Sequence, residues 1–113
     1  METQDREAFQ AEMQQFDEQH VTDLMNKLTE RLETIRTLDI ECEAYWNRRE
    51  HQLGLHTYLQ MEEWLENMLG LSRYVAEITF RYPNNKFFDC AYRKSSDLVE
   101  HAEMLLSNWD GCF

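Results

Sequence analysis

Apolar residues recur along most of this chain at spacings of three and four, the period of an amphipathic helix, and no alternating run is long enough for a strand. The clearest stripe is C-terminal: Phe88, Ala91, Ser95, Leu98, Ala102, Leu105, Trp109 and Cys112. Tyr92, Val99, Leu106 and Phe113 widen it, while Asp89, Arg93, Ser96, Glu100 and Glu103 take the opposite side. A face that broad implies burial against at least two other helices rather than a two-stranded seam. Upstream, Met61, Trp64, Met68, Leu71, Val75, Ile78 and Tyr82 keep a second heptad without a slip. Thr57 with Gln60 offers a capping box at its start, and Pro83 ends it because proline cannot donate the next helical hydrogen bond. Gly70 falls inside this helix but off its seam, a place for close approach or a mild kink. Helices over 57–82 and 86–110, joined by Pro83-Asn84-Asn85, are therefore expected to form an antiparallel hairpin.

The first half carries a third stripe, Val21, Leu24, Leu28, Ile35, Leu38, Cys42 and Tyr45, flanked by Met25, Leu32, Trp46 and Leu53. Arg31 and Arg49 fall on its seam, where their stems can lie along apolar surface while the heads reach water. Phe9, Met13, Phe16 and His20 follow a different phase. That shift means either a stutter in one long helix or a break near His20-Val21-Thr22, with Thr22 as cap. A single helix over 5–53 would be roughly 73 Å long, about twice the hairpin. The reading taken is a break: an acidic helix over about 5–20, then a long helix over about 22–53 ending before Gly54. The expectation is thus one all-α domain over 1–113, a helical bundle in which the hairpin packs on a long N-terminal helical region. A homodimer is expected to cover what the hairpin cannot.

Composition fits that picture. The chain has 113 residues, is 42% hydrophobic, and contains one proline and three glycines, which leaves little room for linkers or disorder. No stretch approaches the ~18 apolar residues of a membrane span, and the N-terminus lacks the apolar core of a signal peptide. Three cysteines in odd number, without metal spacing, suit reduced thiols in the cytoplasm. Cys42 and Cys112 are placed on apolar helix faces, where a thiol acts as a small hydrophobe.

The charge is informative because it is uneven. The net charge is −11, and residues 1–23 carry −6 of it, with seven acids and one base. Such a surface disfavours direct contact with nucleic acid or anionic membrane and favours a protein partner with a basic surface. Glu2, Asp5, Glu7, Glu12, Asp17 and Glu18 are the candidate partner-binding acids. Trp46, Leu59, Leu69, Tyr74 and Phe80 stand outside the seams and are the candidate apolar interface, since aromatic residues dominate interface energetics.

Candidate chemistry is sparse. Glu62-Glu63-x-x-Glu66 on a helix resembles the first half of the acidic motif of MazG-like all-α nucleotide pyrophosphohydrolases. That resemblance implies carboxylates holding Mg²⁺ against nucleotide phosphates, with Glu100-x-x-Glu103 in the place of the family's Glu-x-x-Asp. The heptad register puts Glu62, Glu66, Glu100 and Glu103 at outward positions, whereas a metal cage needs carboxylates that converge. The histidines His20, His51, His56 and His101 show no ligand pairing, and no nucleophile elbow or phosphate-cradling glycine loop is present. The reading that follows is a non-enzymatic inhibitor or regulator without a cofactor. A Mg²⁺-dependent pyrophosphohydrolase and a structural dimeric adaptor or chaperone are the alternatives.

Overall fold

The computed structural model describes residues 2–113 and contains three helices: α1 (Glu2–Asn47), α2 (His51–Phe80) and α3 (Lys86–Ser107). No strand occurs among the described residues. Side-chain contacts fix the directions. Thr79 Oγ1 lies 3.3 Å from the Phe88 carbonyl, and Ser72 Oγ lies 3.3 Å from Ser95 Oγ, so α2 and α3 diverge in sequence away from their turn and run antiparallel. Along α1 and α2, Cys42 meets Met61, Arg31 Nε donates to Asn67 at 3.0 Å, and His20 meets Tyr74. These helices are antiparallel too. Arg36 beside His101 and Asp39 beside Trp109 make α1 and α3 parallel, giving an up-down-up bundle.

The three stripes read from the sequence form one core. Val21, Leu24, Leu28, Leu32, Ile35, Leu38 and Cys42 of α1 are buried against Met61, Met68, Val75 and Ile78 of α2 and Phe88, Ala91, Val99, Ala102 and Leu106 of α3. Arg31 stays in the seam as expected: its guanidinium lies 5.1 Å from the Trp64 ring centre while Nε reaches Asn67.

Several boundaries differ from expectation, among them the end of α2, which stops at Phe80 rather than at residue 82. The break near His20 is absent and α1 is continuous; Thr22 Oγ1 bonds back to the Glu18 carbonyl at 2.9 Å, a mid-helix contact rather than a cap. Helix α1 stops at Asn47, short of Leu53, in a Schellman motif. Glu50 N bonds to Tyr45 O at 2.9 Å and Arg49 N to Trp46 O at 3.1 Å, with Arg49 left-handed at φ 60°. Because arginine holds a position that usually marks itself with glycine, the stop was invisible in the composition. Helix α2 consequently starts at His51, and both Gly54 and Thr57 lie buried within it instead of breaking and capping the chain. Gly54 serves packing: a Cβ there would sit 2.2 Å from the Phe113 ring.

Helix α3 is capped by Asn85, whose side-chain oxygen accepts from Phe87 N (2.9 Å) and Phe88 N (3.3 Å). It ends at Ser107 rather than at residue 110, and turns carry Trp109 and Phe113 back onto the bundle. Trp109 Nε1 donates to Asp39 at 2.7 Å, and its ring stacks on Phe113 beside Trp46. Cys112 therefore lies beyond the helix, half-exposed, not on an apolar helix face.

The result is a rod of 71 × 18 × 14 Å. Helix α1, roughly 69 Å at 1.5 Å per residue, runs its whole length. The tip of the α2–α3 hairpin is tied to Asp17, and Arg81 and Tyr82 share a surface cleft with α1 residues between Glu7 and Gln14, so that most of residues 2–16 extends past the hairpin as an overhang.

Candidate functional site

Asp17 marks where the bundle stops. It is 3% exposed, accepts a short hydrogen bond from the Tyr82 hydroxyl, and has Arg81 Nη1 at 3.7 Å. Tyr82 in turn stacks on Phe88, with ring centres 4.4 Å apart. Burial first, and then the hydrogen bond and charge of Asp17, push the Tyr82 hydroxyl up to about 12, although Arg81 pulls the other way. Asp17 thus anchors the hairpin to α1. Its expected role as a partner-binding acid is corrected: a buried, doubly engaged carboxylate is not available to a partner.

Above Asp17 the buried face of α1 turns polar. Continued upward from Leu28, Leu24, Val21 and Asp17, that face would pass through Gln14 and Gln10. Phe9, Met13 and Phe16 each stand one residue earlier, about 100° around the helix. They are 62%, 44% and 65% exposed, and Phe9 and Met13 border a cleft whose far wall is Arg81 and Tyr82 of the hairpin tip. The phase shift in the sequence is therefore a real rotation of the apolar stripe within one uninterrupted helix. The stripe runs down to His20, whose ring meets Phe16 above and, at 5.0 Å, Tyr74 of α2 below. Asp5, Glu7 and Glu12 are exposed on the same segment, with Arg6 its one base. Glu18 is half-buried and held by Gln14 at 3.2 Å. The side chain of Glu2 lies outside the described residues.

The five candidate apolar residues do not come together. Tyr74 sits at the foot of the Phe9–His20 stripe. Trp46 is at the opposite end of the rod, in the cluster with His51, Trp109 and Phe113. Leu69 is partly buried against the core. Leu59 and Phe80 are exposed on α2, but they lie about six turns apart. The break in heptad phase between Phe16 and Val21 is the sequence signal of the exposed Phe9, Met13 and Phe16 stripe.

Glu62, Glu63, Glu66, Glu100 and Glu103 are all exposed. Among the described residues, no group of three or more His, Cys, Asp or Glu is placed to hold a metal ion. None of their helices is long and apolar enough to cross a membrane. Cys42 is fully buried, and desolvation, reinforced by Asp39 and Glu41, pushes its thiol up to about 11. Cys90 is exposed.

No protein-family model, curated protein or solved structure matches this chain.

Proposed function

We propose that this protein is a non-enzymatic interaction protein whose α1 overhang docks on a protein partner with a basic surface, inhibiting or regulating that partner. The observation that carries the reading is the overhang itself. A helix that extends past its own bundle and exposes two phenylalanines and a methionine has left an apolar surface without a cover. The acids around that stripe select the partner by charge and speed the encounter, while the aromatic rings supply contact area. Shielding a basic nucleic-acid-binding surface is the output that best suits this combination of charge and shape. A straight helix held at its base by Asp17, Tyr82 and Arg81 is already ordered, so docking it costs less entropy than folding a loose acidic tail.

The test is affinity capture from the native host with the full chain, followed by binding of the purified partner to the wild type, to Phe9→Ser/Phe16→Ser and to Glu7→Gln/Glu12→Gln. Loss of binding in the first variant and a weaker, less salt-sensitive complex in the second are expected. Equal binding by all three proteins contradicts the proposal.

A further inference from the structure

We infer that the acidic overhang of one copy seats in a groove between α1 and α3 of a second copy, linking copies head to tail. This rests on the reading of the overhang as a docking element and adds its second occupant. The groove opens just below the hairpin tip. Its upper part, about 530 Å³, has Val21, Met25, Phe87 and Ala91 as apolar lining with Lys86 and Lys94 beside them. A lower part of about 360 Å³ shares Met25 and Lys94 and continues past Leu98 to His101. The two parts therefore form one furrow.

Charge, length and surface all match the overhang. Neither lysine is engaged in an ion pair among the described residues, and Asp97 is the one acid among the lining residues. In a chain of charge −11, an apolar furrow flanked by lysines fits an acidic amphipathic helix, and the chain carries one. From Lys86 to His101 the furrow runs roughly 22 Å at 1.5 Å per residue, about the length of α1 over 2–16. Phe9, Met13 and Phe16 would enter the apolar lining, and Asp5 and Glu12, which flank that stripe on one side, would meet the lysines.

Geometry sets the mode of assembly. On α1 the stripe passes through Phe16 and His20, whereas the groove is walled by Thr22 and Met25. Thr22 follows His20 by two residues, about 200° around the helix, so the two surfaces lie on opposite sides of one straight rod. A copy that receives an overhang cannot return its own to the same neighbour. The contact is heterologous and, unless a ring closes, open-ended.

Sedimentation velocity on the full chain at low salt, over a concentration series, tests this. The wild type is expected to rise in mass beyond a dimer, and both Phe9→Ser/Phe16→Ser and Lys86→Glu/Lys94→Glu to stay at 13.7 kDa, with unchanged helical circular dichroism. Mixed together, these variants retain one good overhang and one good groove between them and should yield a species of about twice the monomer mass. A wild type that stays monomeric, a lysine variant that associates like the wild type, or a mixture that yields no complex each overturns the inference. Partner binding through the overhang, measured on the monomeric Lys86→Glu/Lys94→Glu protein, is a separate readout and stands or falls by itself.

Discussion

The Tyr82 hydroxyl donates to the carboxylate of Asp17, across 65 residues of sequence, and so ties the tip of the α2–α3 hairpin to the middle third of α1. Below this contact α1 belongs to a core. Above it, Arg81 and Tyr82 alone of the hairpin tip border the cleft along Glu7–Gln14. The pair therefore marks where the core shared by the three helices ends.

Tyr82→Phe keeps the ring stacked on Phe88 but removes the donor from a buried carboxylate, leaving Arg81 at 3.7 Å as its remaining partner. A loss of about 1.5–3 kcal/mol is expected from chemical denaturation, the usual worth of a hydrogen bond to a charged group. The same contact gives an alkaline signature. Tyr82 ionises near 10 when unfolded and at about 12 when folded, so its contribution is complete below pH 10 and declines as pH rises through 12. The stability–pH curve of Tyr82→Phe should be flatter across that window.

The three thiols should separate by exposure. With a disulfide reagent at neutral pH, Cys90 reacts fastest and Cys112 follows, while Cys42 reacts only at the rate of unfolding. Because the Cys42 thiol is raised from 9.0 to about 11, it too favours the folded state less as pH climbs between those values. Mass spectrometry of the labelled sites checks the order.

Two substitutions should stabilise the protein. Gly70 is a mid-helix glycine with nothing within 4 Å of an added Cβ, so Gly70→Ala should gain about 1 kcal/mol. Arg49 holds a left-handed backbone conformation that costs an L-residue about 1–2 kcal/mol, partly offset by the greater chain entropy that glycine loses on folding. Arg49→Gly is accordingly expected to gain up to about 1 kcal/mol. Thermal and urea denaturation report both.

Gly54→Ala behaves differently although it is also a helical glycine. The gain in helix propensity, about 1 kcal/mol, is opposed by displacement of the Phe113 ring that lies against the bare backbone. Stability should change little, but the tryptophan emission should shift, because Phe113 stacks on Trp109 and meets Trp46 edge-on. Unchanged emission would mean that the ring does not seat on Gly54.

The three core stripes were legible because each repeats over several turns, and burial on one face of a long helix leaves a period that few alternatives share. Boundaries were less so. Gly54 and Thr57 carry the residue types of a breaker and a cap, yet they are buried by Phe113 and the core. The true stop at Arg49 has no such marker, since the Schellman hydrogen bonds are made by backbone alone. Among the acids, Asp5, Glu7 and Glu12 are exposed as expected, and Asp17 is not. Its fate depends on Tyr82, a partner that sequence distance hides. The misplaced break at His20 has the same origin. A change of heptad phase looks identical whether the chain bends or the apolar stripe simply rotates onto an exposed face of one helix.

The most direct measurement is the association rate of the captured partner with wild type and with Asp5→Asn/Glu7→Gln/Glu12→Gln, across ionic strengths that move the screening length through about 10 Å. An acidic docking arm predicts an on-rate at least about tenfold lower in the variant at low salt, converging with the wild type as salt rises. An on-rate that ignores both the substitutions and the salt would contradict the assignment of the overhang as the docking element.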